Sequence, residues 1–203
     1  MNAHVVASGA TDGRVRRGVE NRAALVEALV SLYGEGELTP TAARIAERAG
    51  VAVRSVYGHF GDVETLASEV VQRQWQLHFR AMDVEPVSGT LAERADALVA
   101  RRAALFEAIT PVRRAGMIYV HRSETIATNL RTLARHLRTQ VAKTFEPELE
   151  RGGVHSTELL DAVDLLLAWE SWERLRTQQG CSPARARRVL STALVRLLDP
   201  PRE

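Results

Sequence analysis

Residues 41–60 read TAARIAERAGVAVRSVYGHF, and this stretch decides the fold. Thr41 follows Pro40 as a helix-start signal, and Ala42, Ile45, Ala46 and Ala49 recur at the spacing of a buried helical face. Gly50 ends that helix, and a second short helix is predicted over about 52–59. Two short helices crossing steeply leave room only for a small side chain, and Ala46 meets that need. The turn needs a residue that accepts positive φ, which Gly50 supplies. Val51 and Val56 then plug the space between the helices. Ala46, Gly50 and Val56 together form the general helix-turn-helix spacing.

With the second helix so pinned, its other face projects outward and carries Val53, Arg54, Ser55, Tyr57, Gly58 and His59. Arg54 can fork onto guanine, Ser55 can serve a base or a phosphate, and Val53 can meet a thymine methyl. Tyr57 and His59 can reach phosphates and set register. Thr41 places a hydroxyl and free backbone N–H groups where a phosphate could sit. Phe60 reads better as a core aromatic.

These residues resemble the TetR family of transcriptional regulators. The likeness rests on Ile45-Ala46, Ala49-Gly50-Val51, Val56-Tyr57, His59-Phe60 and Leu66, and it covers about residues 17–70. It implies that Thr41, Ala43, Val53, Arg54, Ser55, Tyr57, Gly58 and His59 face DNA. It also implies a homodimer, a pseudo-palindromic double-stranded DNA operator and an unknown small-molecule effector, with release from the operator as the mode of repression. Two positions depart from the pattern: Ala52 stands where many members have Ser or Thr, and Val63 where many have Lys. A helix-turn-helix scaffold that has lost DNA and serves protein interaction is the alternative.

Working outward, Leu25, Ala28, Leu29 and Leu32 lie on one face of a helix expected over 17–33, preceded by a flexible basic arm, residues 1–16, with Arg14 and Arg16. Asp62 is a good N-cap for a long helix to about Met82. Residues 83–90 read as a loop. Further helices are expected at 90–109, 111–121, 123–145, 156–179 and 184–198, punctuated by Pro111, Pro147, Gly152 and Gly180. The chain thus reads as all-α, with the arm, a helix-turn-helix domain over 17–66 and a ligand-binding and dimerisation domain over 67–203.

Candidate dimer-interface residues are Leu159, Val163, Leu166, Trp172, Leu190, Leu194 and Leu197, although the same faces could fill the subunit's own core. Candidate ligand-pocket residues are Trp75, Phe79, Met82, Phe106, Met117, Tyr119, Asn129 and Trp169.

Composition agrees. Hydrophobic residues make up 45% and aromatics 5%, which allows a packed core of good helix formers. Lys143 is the only lysine among 27 basic residues; arginine suits phosphate and base edges, and a GC-rich genome explains the bias equally well. From Arg14 to Leu66 seven arginines (14, 16, 17, 22, 44, 48, 54) meet seven carboxylates (20, 27, 35, 37, 47, 62, 64), so the segment is neutral. Six histidines show no metal-site spacing, Cys181 has no partner for a disulfide or zinc, and no glycine-rich phosphate loop exists. No enzyme, metal or cofactor is therefore expected. No apolar run reaches the length of a membrane span and no signal-peptide pattern is present, so a cytoplasmic protein is expected.

Overall fold

A computed structural model describes residues 6–82 and 88–199, without the side chains of residues 6–12, 14 and 79–82. All its regular structure is helical: α1 (Val6–Gly34), α2 (Ala42–Ala49), α3 (Arg54–Phe60), α4 (Val63–Met82), α5 (Leu91–Tyr119), α6 (Glu124–Thr144), α7 (Glu146–Arg151), α8 (Ser156–Leu166), α9 (Trp169–Glu173) and α10 (Pro183–Leu198). Among the described residues no helix is long and apolar enough to cross a membrane. The helices form two compact units. The first holds residues up to Leu77 together with Thr110–Ala127; the second holds His78–Ile109 and the chain from Thr128 onward.

In the first unit α1 packs on α2 and α3. Leu25, Leu29 and Leu32 of α1, Ile45 and Ala46 of α2, Val56 and Phe60 of α3, and Leu66 and Val70 of α4 are its buried core. Asp62 caps α4 as expected, its Oδ1 accepting from the Thr65 N–H at 2.7 Å. Farther along, Gly116 of α5 meets Val71 of α4 so closely that an added Cβ would lie 3.3 Å from Val71 Cγ2. The hydroxyls of Ser68 and Ser123 share a hydrogen bond of 3.0 Å, and Arg122 pairs with Glu64 at 3.3 Å.

In the second unit a buried stripe of α5, a stripe of α6 (Leu133, Leu137, Val141), Val163 and Leu167, Trp172, and the α10 face Leu190, Leu194, Leu198 form the core. Arg94 and Glu148, both largely buried, join α5 to α7 through two hydrogen bonds of 2.6 and 2.9 Å. Arg94 also donates to the Thr144 carbonyl. That guanidinium holds the Glu148 carboxyl below its ordinary pKa. Two helix starts are capped by local side chains. Thr90 and Glu93 reciprocate as a capping box at α5, with the Thr90 N–H donating to Glu93 at 2.8 Å. Ser182 accepts from the Arg185 N–H ahead of α10, with Pro183 in the first turn.

Four expectations are corrected. The described part of the arm, from Val6, is helical and continuous with α1. Once a helix is nucleated on a buried face, each further residue adds a hydrogen bond, and Gly9 and Gly13 weaken that extension without stopping it. Pro111 does not separate two helices; it lies inside α5. Its missing N–H and ring clash cost about 3 kcal/mol, and burial of Phe106, Val112 and Ala115 on either side offsets that. Residues 146–151 form α7, with Pro147 tolerated in its first turn. Finally, 156–179 is not one helix. Ala168 is extended (φ −71°, ψ 154°), and Arg174–Gln178 winds as a π-turn. This interruption accompanies burial of both Trp169 and Trp172, whose indole N–H donates to Glu107 at 2.9 Å. Residues 83–87 of the expected loop lie outside the described residues.

Candidate nucleic-acid interface

Gly50 adopts φ 66°, ψ 30°, the left-handed geometry the turn demands. Its successor Val51 donates its N–H to the Ala46 carbonyl at 3.0 Å, closing a Schellman-type end to α2. Ala46 is buried at the crossing, and Val56 and Phe60 anchor α3 from the inner side. Phe60 is thus a core residue, with Arg22 of α1 stacked 4.5 Å from its ring centroid. The anchoring fixes which side of α3 can meet a partner.

Of the eight candidate contact residues none is buried. Thr41, Ala43, Val53, Arg54, Tyr57 and Gly58 are exposed, and Ser55 and His59 are half-buried. Tyr57, an aromatic of α3, is 55% exposed, which no core role explains. His59 lies edge-on to Phe60 and near Gly18 of α1, where an added Cβ would stand 3.9 Å from its Cε1. Thr41 is the N-cap of α2, its hydroxyl oxygen accepting from the Arg44 N–H at 3.2 Å while the hydroxyl hydrogen stays available.

The arginines of this segment divide sharply. Arg22 is bonded to Glu69. Arg44 is held by Glu37 at 3.3 Å and Glu47 at 3.0 Å. Arg48 pairs with Glu35 at 2.5 Å and with Ser31 at 2.7 Å, and this contact lowers the Glu35 pKa. Arg16 sits 3.6 Å from Glu20, and Arg17 donates to the Gly13 carbonyl. Among the described arginine side chains of α1 to α3, Arg54 alone has no intramolecular partner. It stands at the first turn of α3 on the exposed side, beside Tyr57. The neutral charge balance seen in sequence therefore resolves into paired arginines elsewhere and one available guanidinium on α3. The Arg14 side chain lies outside the described residues.

The α3 start lacks a side-chain cap. Ser55 and Val56 donate their N–H groups back to the Ala52 and Val53 carbonyls, and no side chain bonds the free N–H groups ahead of them. This is the consequence of alanine at position 52.

The candidate pocket residues divide between the units. Trp75, Met117 and Tyr119 belong to the first, with Met117 exposed and Tyr119 buried. Phe106, Asn129 and Trp169 belong to the second, where Phe106 and Trp169 are buried and Asn129 Nδ2 is buried without a hydrogen-bond partner. The side chains of Phe79 and Met82 lie outside the described residues. Of the candidate interface residues, Val163, Trp172, Leu190 and Leu194 are buried within the single chain. Leu159, Leu166 and Leu197 are half-buried, and Leu165 and Val189 are exposed beside them. Helical periodicity marks the apolar stripe but does not separate its inner edge from its outer one.

One residue escaped the sequence reading altogether. Arg102 is 2% exposed, inside α5. The signal was present, because Ala95, Leu98, Val99, Arg102, Ala103 and Phe106 keep helical spacing with a charge in the middle.

No protein-family model and no curated protein matches the sequence. Solved structures do share its fold. A transcriptional regulator from Rhodococcus sp. Rha1 superimposes with TM-score 0.66 at 17% identity, covering 87% of this chain and 95% of that one. A regulator from Mesorhizobium loti MAFF303099, assigned to the TetR family, gives 0.56 at 20% identity, covering 90% and 96%. A member of the TetR transcriptional regulator family from Streptomyces coelicolor A3 gives 0.55 at 19%, covering 88% and 91%.

Proposed function

We propose that this chain, which has the fold of the TetR-family regulators, is a homodimeric transcriptional regulator that binds a pseudo-palindromic DNA operator and is released from it by a small molecule. The observation that carries the reading is the outer face of α3: Arg54 unpartnered and Tyr57 exposed, on a helix whose other side is fixed by Val56 and Phe60. A guanidinium at the start of a groove-entering helix can fork onto guanine O6 and N7, and a tyrosine hydroxyl one turn on can bond a phosphate. One such helix reads only a few base pairs. Two, carried by a dimer with half-sites about one helical turn apart, give a usable operator. The half-exposed edge made by Leu159, Leu166 and Leu197 with Leu165 and Val189 is the surface we assign to dimerisation.

Regulation follows from continuity. The helix α4 begins at the cap supplied by Asp62, directly after the recognition helix, and runs on as far as Met82. A ligand that favours one position of α4 shifts the balance between operator-binding and released states.

The test is an anisotropy titration of the full chain against its own upstream DNA at two salt concentrations. Saturable, competitor-resistant binding with one dimer per site, lost in Arg54→Ala, supports the reading. A protein-interaction role without DNA is favoured by one observation, the neutralisation of Arg22, Arg44 and Arg48 by carboxylates. Failure to enrich any site from random duplexes would overturn the DNA reading and favour that role instead.

A further inference from the structure

The buried face of α5 in the second unit is apolar except at one position. Leu98, Val99 and Phe106 lie one turn to either side of Arg102, all of them buried. The Arg102 guanidinium has five N–H donors. Nη2 gives one to the Leu137 carbonyl of α6 at 2.7 Å. Nε and Nη1 are sealed from solvent and have no partner. The opposite charge that acts on Arg102 is Asp164 of α8. That carboxylate forms no hydrogen bond with Arg102, and it already faces Arg138, 3.7 Å away, which itself bonds Asp161 at 2.6 Å. Burial lowers the Arg102 pKa to about 10, so the side chain still carries its charge at neutral pH.

Such an arrangement is costly for packing alone. A buried charge without hydrogen-bonded compensation is strongly unfavourable, and an apolar side chain at 102 would complete the stripe without that cost. The residue is explained if something else completes it. The unused groups are all donors, so the missing partner is an acceptor. The charge is single and Asp164 stands nearby, so the partner is a monoanion. The neighbouring side chains are hydrocarbon, so its body is apolar.

We propose that Arg102 anchors the carboxylate of a small monocarboxylic acid with an apolar body, bound inside the second unit. This rests on the reading that the chain responds to a small molecule, and it names the chemical class of that molecule. Arg102 holds the carboxylate through charge-assisted hydrogen bonds, and Leu98, Val99 and Phe106 meet the hydrocarbon. The uncharged amide keeps one carbonyl acceptor but lacks the negative charge and the second oxygen, so it leaves the guanidinium charge uncompensated.

The experiment uses the full chain and a panel of acetate, butyrate, octanoate and benzoate, each beside its uncharged amide, with affinity read by calorimetry and folding by circular dichroism. At least one acid is expected to bind saturably and its amide about 10–100-fold more weakly, the range for hydrogen bonds to a charged group. Arg102→Met is expected to lose the acid by a similar factor while melting at the same or a higher temperature. Arg102→Gln, which keeps polarity without charge, is expected to behave as Arg102→Met toward the acid. Equal binding of acid and amide, binding of no acid in the panel, or undiminished binding to both variants overturns the proposal. Titration of operator DNA with the same preparations separates this result from the regulator reading. DNA binding without any acid response refutes the site alone, and acid binding without DNA binding refutes the regulator alone.

Discussion

Arg54 and Arg102 are both arginines without a carboxylate bonded to them, and the two units treat them in opposite ways. Arg54 stands in water on a short helix, where solvent satisfies its five donors and leaving it unpaired costs nothing. Arg102 stands in a hydrocarbon stripe where nothing described satisfies two of its three nitrogens. An unpaired surface charge is a tool held ready, and it makes no statement about stability. An unpaired buried charge is a deficit that the fold carries for a reason. The same contrast holds for the ion pairs. In the first unit the Arg48 and Glu35 side chains are 28% and 52% exposed, whereas in the second Arg94 and Glu148 keep only 12% and 4%.

The largest effect should come from breaking the sealed pair. Glu148→Ala leaves Arg94 without the carboxylate that holds it, and removes the partner of Arg151 as well. Loss of one side of a buried pair costs about 3 kcal/mol or more, and chemical denaturation would measure it. The Glu148 pKa is depressed in the folded state, so the pair's contribution is complete above the unfolded carboxylate value and is lost as pH falls through the folded one. The destabilisation in Glu148→Ala should therefore shrink in acid. A mutant as stable as the parent at pH 7 would show that the pair contributes nothing and would remove half of the contrast.

Next comes Arg54. A bidentate base contact is worth about 1–3 kcal/mol, so Arg54→Ala should weaken operator binding about 5- to 150-fold without changing the melting temperature. Arg54→Lys sharpens the result. A phosphate contact survives as a point charge, whereas a guanine fork does not, so loss of sequence preference with retained non-specific affinity identifies base readout.

The helix-turn-helix was legible because each of its constraints falls on a specific residue type at a fixed position. Gly50 must accept positive φ, Ala46 must be small, Val56 must be apolar, and the structure places each accordingly. Asp62 was legible for the same reason, since capping is local chemistry. The second unit offers no such positional rules. Its buried stripes announce helices but not where they break: the extended backbone at Ala168 and the π-turn after Glu173 serve the burial of two tryptophans, a tertiary demand invisible to periodicity. Pro111 misled because burial on both sides overrides a local penalty. Arg102 was missed because a charge within an apolar stripe reads as noise until its burial is known.

A local cap should give a smaller effect than either arginine. Asp62→Ala removes the acceptor of the Thr65 N–H and should cost about 1 kcal/mol in denaturant unfolding. That hydrogen bond lowers the Asp62 pKa from its ordinary 3.8, so the cap is at full strength above that value and weakens as pH falls below it. Asp62→Asn keeps an acceptor and should retain most of the stability without the acid dependence.

The smallest effect belongs to the exposed pair in the first unit. Arg48 donates to Glu35 through both terminal nitrogens, at 2.5 and 2.6 Å, a geometry as good as that of Arg94 with Glu148. If geometry alone set the energy, Glu35→Gln would cost as much as breaking the sealed pair. Water decides otherwise. Each partner regains hydration when the other is removed, salt screens the attraction, and side-chain ordering offsets the remainder, so the expected loss is the smallest of the set and should fall further at high ionic strength. A double-mutant cycle over Arg48 and Glu35, set beside one over Arg94 and Glu148, measures the difference directly. Equal coupling energies in the two cycles would mean that burial does not distinguish the units, and the burial of Arg102 would then no longer call for a ligand.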